Sequence, residues 1–307
     1  MKRRIIVAVV LAVFLAASVY AQTTDFFELV KTATPQDVQT AIDQGADVNA
    51  QNGADETVLM YAAEQNHNPE VITTLLKAGA DVHASAQGHS ALMFAARNNL
   101  EVVTTLLKAG AGVNAEDMAG SSVLMYALSA VGPNPVDSNP ELITTLLKAG
   151  AGANTQADDG GTVLMWAATN PNPEVITTLL KAGAGANVNT QDDNGETALI
   201  KAARKQTPEV IATLLKAGAD ATVKNSEGKT ALDYANDNDT LKGTDAYQRL
   251  EEASKLIHPT RGVLNDSQVR VRGSLRTGSI AVPAGASRRE LNGGSYSASF
   301  GTRRGPG

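Results

Sequence analysis

The 307-residue chain contains no cysteine, which excludes disulfide staples, thiolate chemistry and Cys-ligated zinc. Aromatic residues make up only 4% and tryptophan occurs once, although 43% of the residues are hydrophobic. Any interior is therefore built from Ala, Leu and Val in thin layers, which suits stacked small helices better than a sandwich or barrel. The four histidines, His67, His83, His89 and His258, show no i, i+3 or i, i+4 spacing, so no helix face offers a metal pair. Phosphate loops, nucleophile elbows and paired catalytic carboxylates are missing too, and Gly-x-Gly pairs such as Gly110-Ala111-Gly112 are explained by turns. Asp158-Asp159 and Asp192-Asp193 lack the remaining ligands of a calcium loop and read as solvated tips. No catalysis, cofactor or metal is expected.

Long apolar runs are also scarce, with one exception at the N-terminus. There Lys2, Arg3 and Arg4 precede an apolar stretch from Ile5 to Ala17, followed by Ser18-Val19-Tyr20-Ala21 with small residues before the break. This pattern predicts a secretory signal peptide, residues 1–21, cleaved after Ala21. The run is shorter than the roughly 20 residues of a membrane span, so no stable insertion is expected after cleavage. The predicted destination is the bacterial periplasm or the exterior.

Charge is unevenly spread. From Pro259 onward the chain has eight Arg, no Lys and two acids, whereas residues 22–258 carry a net charge of −15. An acidic body argues against a general nucleic-acid binder, which needs a basic face to displace counterions. Residues 259–307, rich in Arg, Gly and Ser, are expected to be disordered. They read as a divergent terminus, a simple flexible tail or an Arg-bearing contact segment.

Between these ends the chain repeats itself. Leu-Leu-Lys-Ala-Gly-Ala recurs at 75, 106, 146, 179 and 214, with a weaker version at Ala41–Ala46. A second signature starts at Thr57, Ser90, Ser122, Thr162, Thr197 and Thr230, in phase with the first at a period of about 33. Each Thr or Ser is placed to cap a short helix whose Leu and Ala residues share one face, as in Leu59, Ala62 and Ala63. A second helix is announced by Asn68-Pro69-Glu70, Asn139-Pro140-Glu141, Asn172-Pro173-Glu174 and Thr207-Pro208-Glu209. It buries Val71, Ile72, Leu75 and Leu76 or their equivalents, carries a Lys in its last turn, and stops at Gly79, Gly110, Gly150, Gly183 or Gly218. An Asp/Asn/Gly-rich hairpin then returns the chain.

Two signatures recurring in phase make residues 25–258 resemble the ankyrin repeat family. The resemblance implies an all-α solenoid of helix-turn-helix units with β-hairpin loops, about seven units including caps at 25–53 and 228–258. It departs from the family pattern at the position of the histidine in Thr-Pro-Leu-His, which is Met in four copies, Ile200 in one and Asp233 in the last. That change is expected to remove the Thr to His hydrogen-bond network and lower rigidity. Two lengths are anomalous: Gly132–Asn139 is an inserted loop, and Gly183 to Thr197 is two residues longer than most hairpins.

One repeat position is aromatic: Tyr61, Phe94, Tyr126, Trp166 and Tyr234, with Lys201 as the exception. In the family this position borders the concave groove. The ladder is either a row of recognition anchors or a row of packed spacers. The resemblance implies a monomeric, non-catalytic module binding a protein through the groove and hairpin tips. An effector or envelope stress-protection protein acting on a host or periplasmic enzyme is the alternative; an accessory subunit binding cell-wall glycans is a third.

Overall fold

The computed structural model describes residues 26–97, 99–129, 140–170, 172–205, 207–237 and 239–256. The expected signal peptide 1–21, the inserted loop Gly132–Asn139 and the tail 259–307 lie outside these residues. Contacts divide the chain into Met1–Pro259 and Thr260–Gly307, and all described residues belong to the first unit.

Among the described residues the chain forms seven successive helix pairs. The first consists of helical residues 26–30 and α1 (Pro35–Asp43). It is followed by α2 (Val58–Gln65) with α3 (Pro69–Lys77), and by α4 (Ala91–Ala96) with α5 (Leu100–Lys108). The next pairs are α6 (Val123–Leu128) with α7 (Pro140–Lys148) and α8 (Val163–Ala168) with α9 (Pro173–Lys181). The last are α10 (Ala198–Lys205) with α11 (Pro208–Lys216) and α12 (Ala231–Asn236) with α13 (Asp245–Leu256). First helices stack on first helices, α2 on α4 and so on to α12, while second helices form a parallel row from α1 to α13. The ankyrin-repeat solenoid expected from the sequence is the observed fold.

The core lies between the two rows. Leu75, Leu106, Leu146, Leu179 and Leu214 are fully buried at equivalent positions, and truncating any of them to Ala is worth about 2–5 kcal/mol. Ala62, Ala95, Ala127, Ala167 and Ala202 are also fully buried, and their small side chains let neighbouring helices approach. Leu76 departs from the expected pattern: it is half-buried, because the i+1 position turns away from the face shared by Ile72 and Leu75.

Most helix caps form as the sequence indicates. The hydroxyls of Thr57, Ser90, Thr162, Thr197 and Thr230 accept the N–H of the residue three positions on, each at 3.3 Å. Asn68 and Asn172 accept the amides of Glu70 and Glu174 at 2.9 and 3.0 Å. Two expected caps differ. Ser122 makes no side-chain cap bond and instead accepts the Thr155 hydroxyl of the next hairpin at 3.0 Å. Thr207 donates its hydroxyl to the Ala202 carbonyl at 3.2 Å, closing the loop between α10 and α11 rather than capping α11. The methionines also correct an expectation. The Thr57 and Thr162 amides donate to the sulfurs of Met60 and Met165 at 3.4 and 3.5 Å, so Met retains a weak form of the reciprocal contact. Asp233 makes that contact in full, accepting the Thr230 amide at 2.7 Å.

Successive units are joined by an asparagine staple. Four residues after a helix-ending glycine, Asn49 donates to the Gly79 carbonyl and accepts the Asp81 amide of the next unit, at 3.0 and 2.9 Å. Asn114 repeats both bonds with Gly150 and Gly152, and Asn189 repeats them with Gly218 and Asp220. Asn154 makes the first bond, to the Gly183 carbonyl at 3.0 Å. The two extra residues after Gly183 are absorbed in a 3-10 turn, Ala184–Asn187, which lets Asn189 reach the staple position. In the second pair that position is His83, which is exposed and makes no such bond.

Hairpin tips also touch directly. The amides of Asp158, Asp193 and Ser226 donate to the carbonyls of Ala119, Asp159 and Asn194 in the preceding hairpin, each at 2.9 Å. This approach requires glycine at the tip. A Cβ on Gly88, which has φ +82°, would lie 2.7 Å from Asp117 Cα, whereas one on Gly110, at φ +92°, meets nothing within 4 Å.

Gly110→Ala is therefore expected to cost about 1 kcal/mol, the penalty of a left-handed residue, and Gly88→Ala distinctly more, because backbone must also move. His83→Asn is expected to add about 1 kcal/mol by supplying the missing staple. Urea unfolding of the three variants checks both orders; a neutral or destabilising His83→Asn contradicts the staple.

The ladder face as a candidate recognition surface

Each ladder residue lies three positions after the Val or Ala that starts its first helix, and Phe94, Tyr126, Lys201 and Tyr234 contact side chains of their own hairpins. Tyr61, Phe94, Tyr126, Lys201 and Tyr234 are half-buried, and Trp166 is 37% exposed. The six residues named from sequence thus line one face, but their surroundings differ.

Three of them are tied to a hairpin side chain nine residues earlier. Asp117 uses one carboxylate oxygen to accept the amides of Ala119 and Ser121, both at 2.8 Å, and the other to accept the Tyr126 hydroxyl at 2.7 Å. Asp192 likewise accepts the amides of Asn194 and Glu196 and holds the Lys201 ammonium at 2.7 Å. Asn225 accepts the amides of Glu227 and Lys229 and donates to the Tyr234 hydroxyl at 2.9 Å. The same register before Trp166 is occupied by Ala157, which has no polar group to offer.

The remaining ring contacts come from lysine, histidine and phenylalanine side chains of the chain itself. Lys31 Nζ lies 5.2 Å from the centre of the Tyr61 ring, which also meets Phe27 edge-on at 5.4 Å. Lys229 Nζ lies 5.2 Å from the centre of the Tyr234 ring. His89 stacks on Phe94 at 5.8 Å and meets Tyr126 edge-on at 5.7 Å, with its Nε2 4.0 Å from Asp117. Among the described residues Trp166 has no ring or cation partner.

Two cavities open beside the ladder. One of about 220 Å³ is bounded by Glu56, Gln87, His89, Phe94, Arg97 and Tyr126. The other, about 170 Å³, lies between Trp166, Asp159, Thr169, Asp192 and Lys201. Among the described residues no group of three His, Asp or Glu is placed to hold a metal ion.

The electrostatics are those of satisfied pairs. Burial pushes the Asp117 carboxyl up, but the Tyr126 hydroxyl and the Ser121 and Ala119 amides outweigh it and hold the group below the ordinary carboxylate value. The Tyr126 phenol is raised by burial and by that carboxylate. Burial raises Asp192 as well, and the Lys201 ammonium with the Glu196 and Asn194 amides reverses the sign. Lys201 is lowered by burial and raised further by Asp192 and Glu196, so it stays charged. Glu196 is closed by a two-point contact with Arg204, at 2.7 and 3.0 Å.

The family model described as "Ankyrin repeats (3 copies)" matches residues 27–117, 124–225 and 164–244. The chain belongs to the ankyrin repeat family. Ankyrin repeats are protein-binding scaffolds, and no enzymatic family is matched. One similar solved structure is a chain from the complex of the predatory endopeptidase Bd0816 of Bdellovibrio bacteriovorus with the immunity protein Bd3460. It is 31% identical with a TM-score of 0.53, and the match covers 66% of this chain and 99% of that one. Another is the human ASB11 ankyrin repeat domain, 25% identical with a TM-score of 0.61, covering 74% of this chain and 96% of that one. No curated protein matches at a significant level. Among the described residues no helix is long and apolar enough to cross a membrane.

Sequence reading located the ladder but missed the residues nine positions earlier. Their signal was available: Asn52, Asp117, Asp192 and Asn225 occupy one register of the repeat, and Ser85 and Ala157 depart from it.

Lys201→Met is expected to destabilise the fold most between the ordinary Asp and Lys values, 3.8 and 10.5. The lowered Asp192 value contributes stability that is present above pH 3.8 and is lost as pH falls through the folded value. The raised Lys201 value contributes stability that is present below pH 10.5 and is lost as pH rises past the folded value. Denaturant unfolding across pH should show the gap between wild type and variant closing at both ends. A gap independent of pH contradicts the ion-pair assignment.

Proposed function

We propose that the chain is an exported, non-catalytic module that binds a protein partner through the ladder face and its hairpin tips, with Trp166 as the principal anchor. The observation that carries this reading is the exposure of Trp166 in a row whose other members are held by the chain's own side chains. Large aromatic residues beside a cavity are the commonest energetic centres of interfaces. The N-terminal sequence supports export to the periplasm or the exterior, and the chain acts as a monomer, with its ends closed by the first and last helix pairs.

A second reading is favoured by the similarity to a chain of the endopeptidase–immunity protein complex. In it the partner is an exported peptidase of the same cell, and binding protects the envelope from that enzyme. An effector acting on a host enzyme uses the same surface.

Cross-linking and capture from the envelope fraction tests the first reading. Trp166→Ala is expected to weaken the captured complex by roughly 2 kcal/mol or more, while helical circular dichroism persists; full affinity in a folded variant contradicts it. Under the second reading, adding the purified chain to the captured enzyme lowers peptidase turnover, and unchanged turnover rejects it. Export is checked on the mature protein, whose first residue is expected to be Gln22; an intact Met1 terminus in the cytoplasm rejects it.

A further inference from the structure

The ladder shows a consistent chemistry in how its rings are covered. Lys31 lies over Tyr61, Lys229 lies over Tyr234, and His89 contacts both Phe94 and Tyr126. At Lys201 the cation itself stands in the row, 2.7 Å from Asp192 and 3.1 Å from Glu196. Trp166 is the indole, the ring type that binds cations best, and among the described residues it has no such cover. It is 37% exposed, and the register that ties Tyr126, Lys201 and Tyr234 to their hairpins is Ala157 in its unit.

The cavity beside it has acidic walls. Asp159 lies on its rim, exposed, and makes no ion pair among the described residues; one of its oxygens accepts the Gly161 amide at 2.8 Å. Asp158 and Asp193 on the adjoining tips are also exposed and without ion pairs among the described residues. Lys201 and Arg204 are committed to Asp192 and Glu196. The nearby positive charge is thus spent, and the whole of residues 22–258 carries a net charge of −15. The cavity volume of about 170 Å³ suits a single side chain, not a cofactor.

We propose that this cavity is a subsite for one arginine or lysine side chain of the protein partner, its charged head over the Trp166 indole and beside the Asp159 carboxylate. The proposal rests on the reading of the ladder face as the binding surface and adds the chemistry of the contact. An arginine fits best, because its flat guanidinium stacks on the indole while donating to a carboxylate edge-on. The partner's segment is accordingly basic, matching the acidic tips on either side.

Trp166 is the only tryptophan, so its fluorescence reports on this cavity alone. The test is a titration of the purified chain with pentapeptides of glycine that differ only at the centre: arginine, lysine, citrulline or norleucine. Saturable responses are expected for arginine and lysine, at least tenfold weaker for citrulline and norleucine, and weakened further by added salt. Asp159→Asn, which keeps the oxygen that accepts the Gly161 amide, is expected to weaken the arginine response severalfold. Equal binding of norleucine and arginine overturns the proposal and leaves an apolar pocket. No saturable response to any peptide overturns it too. The capture experiment separates the two readings: a partner lost in Trp166→Ala without any charge preference among the peptides keeps the ladder as binding surface and removes the cationic subsite.

Discussion

The close approach of each hairpin to the next sets the geometry on which the rest of the molecule depends. An amide at one tip donates to a carbonyl at the preceding tip, and the asparagine at the base of one hairpin bonds both sides of the following helix-to-hairpin turn. These contacts are repeated with little change, so the first helices are held at a fixed spacing and their side chains fall into a row. Glycine at the tips is the condition for it, because a Cβ there meets the neighbouring backbone. In a solenoid each unit contacts only its neighbours, and the junction after His83 lacks the staple that Asn49, Asn114 and Asn189 supply in full.

From that spacing follows the character of the ladder. In three units the residue three positions into the first helix is held by the hairpin residue nine positions earlier. Asp117, Asp192 and Asn225 tie down a phenol, an ammonium and a phenol. Their amide-accepting oxygens stiffen the hairpin at the same time, so the tip and the ladder residue form one rigid piece. Ala157 supplies neither contact, and its unit instead uses Asp159 to accept the Gly161 amide. The exposed indole and the cavity beside it lie in the unit whose register residue is Ala157.

Much of this was legible in the sequence. The period, the glycine stops and the proline starts are local signals, and the structure has left-handed glycines at 79, 110, 150, 183 and 218. What was not legible is which partner a polar side chain selects, sometimes in another unit and sometimes within its own. Ser122 makes no cap bond, and its oxygen accepts the hydroxyl of a threonine 33 residues later. Thr207 reads as a cap by type, yet its hydroxyl turns to the Ala202 carbonyl. Met60 and Met165 read as a loss of polar contact, and only their position shows the sulfur facing the threonine amide. The ladder was found by register, but whether each ring is covered is decided by side chains from other elements, such as Lys31 and His89, which no spacing rule connects to it.

In the proposed function the protein meets its partner on the ladder face, opened at Trp166, while the row of second helices holds that face in shape. Hydrogen exchange of the purified chain, with and without the captured partner, tests it directly. The expected result is added protection in the hairpins and first helices around 157–169 and 190–201, with α9 and α11 unchanged. Protection confined to the second helices, with the Trp166 hairpin exchanging as in the free chain, would contradict it.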